Sequence, residues 1–199
     1  IYFIYGLFCH QLPQRSWFLF GPSLTISSAE IQAATGASGD FFALRQFLGT
    51  SEFGWKLGWS DRMVSFFGGW FLFALLYGLL RGRTPGLRPI GRGLSWRAAL
   101  FLMLPMAVDG ITHMISDLWN MTTGFRQSNA WLAVLTGNAL PPTFYVGDAR
   151  GSFNSLARLV TGLLAAFGLI FWLLPLMHRA LRRDGSLTPE TNLSRGNNA

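Results

Sequence analysis

The chain has one cysteine, Cys9, among 199 residues, so it cannot be held by an internal disulfide framework. It is poor in acid: nine Asp and Glu stand against sixteen Lys and Arg, and none lies between Asp61 and Asp109. Only 13% of its residues are charged, too few for a soluble charged surface. No Gly-x-Ser-x-Gly elbow, P-loop, dinucleotide fingerprint or HExxH occurs. The common nucleophile, phosphate and zincin signatures are therefore absent. No internal repeat is visible.

What remains is apolar and aromatic. Half of the residues are hydrophobic, with 18 Phe and 8 Trp. Met63–Leu80 and Leu159–Met177 carry no charge, and Ala98–Ile115 holds only Asp109 and His113 as ionisable residues. Each run approaches the ~20 residues that cross ~30 Å of hydrocarbon as a helix. The expected fold is all-α: an integral membrane bundle of about four transmembrane helices with amphipathic helices on the outer face. The helices are expected over 1–8, 62–80, 97–118 and 155–178. The first, IYFIYGLF, is too short to span and reads as the end of a helix that starts upstream. Residues 1–183 form a single membrane domain, and 184–199 a polar C-terminal tail.

The net charge of +7 is placed beside the membrane ends rather than along one face. Arg81, Arg83, Arg88, Arg92 and Arg97 lie between the second and third segments, and Arg179, Arg182 and Arg183 follow the last. This is the positive-inside pattern. It puts 81–97 and the C-terminus in the cytoplasm and 9–61 and 117–157 on the other face. It argues for lipid headgroups as partners and against nucleic acid.

The outer segment 9–61 breaks at Pro13 and Gly21-Pro22. Ser27 stands three residues before Glu30, as in a capping box that opens a helix. Phe41, Phe42, Leu44, Phe47 and Leu48 surround Arg45 and read as an amphipathic helix on the membrane or the bundle. Asn129–Leu135 is a further short helical candidate.

Chemistry concentrates in the third segment. Asp109, His113 and Asp117 are four apart and fall within an arc of roughly 80° on one helix face. An ionisable stripe inside a membrane must be paired, hydrated or bound. Asp61, Ser65, Gly68 and Gly69 share a face of the second segment. Asn154, Arg158, Thr161, Gly162 and Ala165 share one of the fourth. These stripes should converge, because small residues permit close approach and charges avoid lipid. Three readings of the cluster stay open. Asp61, Asp109 and Asp117 can be balanced by Arg62, Arg126 and Arg158 in a structural polar network completed by Asn154. Asp109, His113 and Asp117, with His10 and Cys9, can bind a divalent metal such as zinc. Proton relay or hydrolytic chemistry is the third. Asp148 in Val-Gly-Asp reads as a turn residue, and His178 as a dipole partner at a helix end.

Cys9-His10-Gln11 followed by Arg15-Ser16 resembles the CHQ-x-x-x-RS opening of an uncharacterised family of bacterial and archaeal membrane proteins, a domain of unknown function. Asp109-Gly110 and Arg158-x-x-Thr161-Gly162 resemble its later signatures, so the likeness spans 9–162. Where the family often shows Cys-x-Arg-Cys, this chain has Ser60-Asp61-Arg62-Met63 and lacks both cysteines. The resemblance implies a four-helix membrane architecture and a prokaryotic cytoplasmic membrane, and no activity. The expected role is a non-catalytic accessory subunit of a larger membrane complex, respiratory or photosynthetic. A metal-dependent, hydrolase-like membrane enzyme and a small transporter or proton pathway are the alternatives.

Overall fold

A computed structural model describes Tyr2 and residues 10–36, 40–83 and 93–185. The expected partial helix over 1–8, apart from Tyr2, lies outside the described residues. So do the arginines Arg88 and Arg92 and the tail from 186 onward.

The described chain is mostly helical. In chain order it runs through a 3-10 turn (Pro13–Arg15), β1 (Ser16–Leu19), α1 (Ser28–Thr35), α2 (Phe41–Gln46), β2 (Gly49–Thr50), β3 (Gly54–Ser60) and α3 (Asp61–Arg83). Then come α4 (Trp96–Trp119), α5 (Phe125–Ser128), α6 (Ala130–Leu135), α7 (Pro142–Tyr145) and α8 (Phe153–Gly185). Three of these, α3, α4 and α8, are long and apolar enough to cross a membrane. Their outward sides carry exposed Phe71, Leu79, Phe101 and Leu104. That surface suits a lipid bilayer.

The helix α8 is the centre of the bundle. Both α3 and α4 pack along it rather than along each other. The reason lies in its small residues. Ala165 and Ala166 are fully buried. A Cβ added at Gly69 of α3 would lie 2.7 Å from the Ala166 Cβ, and one at Gly168 would lie 2.9 Å from the Leu102 Cβ of α4. A Cβ on Gly162 would meet the Ser65 hydroxyl and, at 2.8 Å, the Arg62 carbonyl. These glycines let the helix backbones approach closely, the usual device of helix pairs in lipid. Gly68 has open space around its Cα and takes no part.

At the other end of the bundle Pro175 interrupts α8. Proline has no N–H, so the Phe171 carbonyl loses its helical donor. The Leu94 N–H donates to that carbonyl at 2.8 Å instead. Gly93, at φ +86°, lets the chain turn against the proline ring. Ser95 then caps α4 by accepting from the Ala98 N–H.

The all-α expectation is corrected in residues 16–60. A three-stranded antiparallel sheet in the order β1-β3-β2 stands there. Ser16 pairs with Ser60, Phe18 with Lys56, and Gly49 with Trp55. The strand β3 has the sequence GWKLGWS. Its glycines and single lysine mask the two-residue alternation. Lys56 points inward and donates to the carbonyls of Gln11 and Arg45, at 3.0 and 2.8 Å. Around this sheet Leu12, Phe18, Ile26, Ile31 and Leu44 form a small core of their own. The capping box at Ser27 and Glu30 opens α1, with both reciprocal bonds made. The segment expected as an amphipathic helix is α2, and its Leu44 is turned into that core, with Phe41 and Phe47 packed against it. Phe42 stays exposed.

Candidate functional site

The polar end of the bundle is where α3 and α8 begin and α4 finishes. Four aspartates and four arginines meet there. Arg158 of α8, 1% exposed, donates from Nε to Asp61 of α3 at 2.7 Å. Its Nη1 and Nη2 donate to the carboxylate and carbonyl of Asp148, at 2.6 and 3.2 Å. Arg15 donates from Nε to the other Asp148 oxygen at 2.7 Å. It then forks onto both oxygens of Asp117 at 2.5 and 2.8 Å. One continuous chain of pairs therefore runs Asp61, Arg158, Asp148, Arg15, Asp117. A second group holds Asp109 between Arg62, at 2.6 Å, and Arg126, at 2.5 Å. The formal charges of the eight residues cancel. Forked guanidinium–carboxylate contacts of this kind are the geometry that arginine alone provides.

The loops beyond α4 place these groups. A Cβ on Gly124 would run into Ser116 and, at 2.6 Å, the Asn120 carbonyl. Glycine there lets α5 fold back onto α4, and the Arg126 N–H then donates to the Ser116 hydroxyl at 3.0 Å. Asn129, in the left-handed region at φ 42°, donates to the carbonyls of Arg126 and Tyr145. Asn154 donates to the carbonyls of Arg126 and Gly147 at 2.6 and 2.8 Å. Asn154 is thus fully buried and ties the loops to α8 rather than capping it. The Ser152 hydroxyl accepts from the Ser155 N–H and does the capping. Gly147, at φ +76°, turns the chain just before Asp148.

Asp148 is held well below the usual carboxylate range. Burial alone would raise its pKa, but Arg15 and Arg158 outweigh it. Arg15 is likewise buried, yet its two carboxylates hold its charge more firmly than in water. Burial pushes Arg126 down against the pull of Asp109. His10 is also lowered, mainly by desolvation.

His113 lies 3.7 Å from the Asp109 carboxylate. Arg126 Nη2 sits 3.1 Å from its Nε2. A guanidinium has no lone pair, so it must be the donor and Nε2 the acceptor. The ring proton of the neutral imidazole then sits on Nδ1, which is buried and has no hydrogen-bond partner among the described residues.

The metal reading meets a different arrangement. Asp109, His113 and Asp117 share a helix face, but Asp109 turns to Arg62 and Arg126 while Asp117 turns to Arg15. Among the described residues no group of three or more His, Cys, Asp and Glu could hold a metal ion. Cys9 lies outside the described residues, and His10 packs edge-on to Phe41 at 5.6 Å. Helical spacing brings residues to one face but does not aim their side chains at one point.

Asp148, whose Val-Gly-Asp context predicts a turn residue, and Arg15, which the sequence marks only through the resembled motif, are central to the network. Their signal is three-dimensional: 133 positions separate them.

Beside the network a cleft of about 890 Å³ opens between α3 and α4. Met63 and Phe66 of α3 and Leu104, Ala107 and Met114 of α4 line its body. Its polar end is formed by His10, Arg15, Arg62, His113 and Arg158.

No protein-family model matches the chain, and no solved structure matches it. A protein of Methanocaldococcus jannaschii, described as uncharacterized, is 24% identical to it over 176 residues, covering 88% of this chain and 67% of that protein. The likeness covers most of the chain and leaves the activity to be argued from the site.

Proposed function

We propose that this chain is a non-catalytic membrane protein, an accessory subunit of a larger assembly in a prokaryotic cytoplasmic membrane. One observation carries the reading. Each of the four aspartates of the cluster, three of them buried, is engaged by at least one guanidinium, so the cluster offers no carboxylate free of an arginine to serve as base, nucleophile or ligand. Charges arranged this way fix the register of three helices and their connecting loops. The exposed apolar groups outside the bundle support partners. Phe20 is 91% exposed, and Val134 and Leu135 of α6 are 79% and 75% exposed. Respiratory and photosynthetic complexes are suitable hosts. The resembled motif family and the archaeal relative support the prokaryotic membrane. A first helix ahead of β1 would complete a bundle of four.

Gentle solubilisation of the native membrane should yield a species much larger than 22.1 kDa plus its detergent belt, with other polypeptides in constant ratio. A monodisperse monomer that hydrolyses a lipid or peptide would overturn the reading and favour the metal-dependent enzyme.

The arginine bias gives the orientation: 81–97 and the C-terminus on the cytoplasmic side, the charge network on the outer side. In a Cys9→Ser background, Arg88→Cys and Ser128→Cys should react with an impermeant thiol reagent from opposite faces. Labelling of both from the same side would sink this topology.

A further inference from the structure

We propose that the cleft between α3 and α4 binds an anionic phospholipid, with its acyl chains along the apolar body and its headgroup phosphate at Arg62 and His113. The site goes beyond the subunit reading.

The cleft exists because α3 and α4 each follow α8 and diverge from one another. Among the described residues Arg62 is the side chain of α3 that bonds across, to Asp109 of α4. Its volume lies within the range of small-molecule sites. Its mouth is lateral: Phe101, Leu104, Ile111 and Met114 line it and are 73, 55, 53 and 43% exposed. In a chain whose α3 and α4 are long and apolar enough to span, a lateral apolar mouth faces acyl chains rather than water. The occupant best matched to that body is hydrocarbon.

The polar end selects the headgroup. Its ionisable lining residues are three arginines and two histidines, with no carboxylate among them. The aspartates that balance the arginines lie behind, in the network. Arg15 and Arg158 have every side-chain nitrogen bonded. Arg62 does not: Nη2 holds Asp109, while Nε is buried and without a partner among the described residues. His113, 3% exposed, likewise keeps a buried and unpartnered Nδ1–H. Two buried donors without acceptors are costly until an acceptor arrives. A phosphate oxygen entering the head meets Arg62, whose side chain is 18% exposed and lines the cleft, and the guanidinium fork suits it. The cavity therefore joins a hydrocarbon-shaped body to a donor-rich, acid-free head at one end of the bundle.

The test uses the whole chain purified in neutral detergent and titrated with phosphatidylglycerol or phosphatidylcholine of the same acyl chains. Native mass spectrometry reads the bound fraction. Phosphatidylglycerol should be retained about five-fold better, the preference that one cationic side chain near an anionic headgroup supplies. Arg62→Gln should bring that ratio to near one. Because Arg62 also pairs Asp109, Ala107→Trp is the second variant. It fills the apolar body without touching the network and should lower retention of both lipids together. Equal retention of the two lipids by the wild type, or no effect of Ala107→Trp, would overturn the proposal. So would full displacement by millimolar inorganic phosphate, which would indicate a free-anion site. In native membranes, a photo-crosslinker at Ile111 should capture lipid, and capture of a polypeptide at that position would assign the cleft to a partner helix instead.

Discussion

Arg158→Ala is expected to destabilise the protein by about 3–5 kcal/mol, the cost of removing one partner from a buried charge pair. Arg158 holds Asp61 on α3 and Asp148 in the loop before α8 at the same time. Alanine would leave Asp61 with no guanidinium and Asp148 with Arg15 alone. In a fixed detergent or nanodisc, the apparent melting temperature should fall by on the order of 10 °C. Arg179→Ala, at the exposed far end of the same helix, should change stability by no more than about 0.5 kcal/mol. Arg158→Lys should fall between the two, because an ammonium is a point charge and cannot reproduce the fork onto both acids. A further variant separates charge balance from packing. Arg158→Met combined with Asp61→Asn removes one charge of each sign and leaves Asp148 paired with Arg15, and it should recover a large part of the loss. If Arg158→Ala behaves like Arg179→Ala, the network does not hold the helices together and its structural reading fails.

The three helices long and apolar enough to span a membrane were legible because hydrocarbon imposes one long, local pattern. The segments expected over 62–80, 97–118 and 155–178 are α3, α4 and α8, each longer than its apolar run. They extend because their ends are polar helix, which hydropathy does not register. Asp61, Asp109, His113 and Arg158 could be grouped from their helical faces, and the small residues Gly69 and Gly162 from theirs. Local capping chemistry was equally readable, as Ser27 and Glu30 show. The rest depends on contacts between residues remote in sequence. The sheet pairs Ser16 with Ser60 across forty-odd positions, and its middle strand carries two glycines and a buried lysine. Nothing local distinguishes that lysine from a solvated one. Nor does Gly147-Asp148 differ, as a dipeptide, from any turn. Only the fold shows that the turn delivers its carboxylate between two arginines. The cleft is less legible still, since it arises from two helices choosing a third over each other.

Asp148→Asn is the corresponding experiment on the residue that the linear chain concealed. Among the described residues Asp148 is the one acid shared by Arg15 and Arg158, and so the link between the turn that leads into the sheet and α8. Asparagine keeps the shape and removes the charge. Each arginine retains one other carboxylate, Asp117 or Asp61, so the expected loss is about 3 kcal/mol, the lower end for a broken buried pair. The pH dependence gives a sharper test. The folded pKa of Asp148 lies below its unfolded value of about 3.9, because Arg15 and Arg158 outweigh the burial that would raise it. Its contribution is therefore present in full above about pH 4 and is lost as pH falls through the folded pKa. His10, lowered mainly by burial, adds a separate and smaller loss as pH falls below about 6.5, where the unfolded imidazole takes up its proton first. Wild-type and Asp148→Asn stability should consequently differ most at neutral pH and converge as the solution becomes strongly acidic, while the His10 step persists in both. Thermal unfolding in one detergent across that pH range measures the convergence. Two parallel curves, offset equally at every pH, would mean that the Asp148 charge is not what joins the sheet to the bundle.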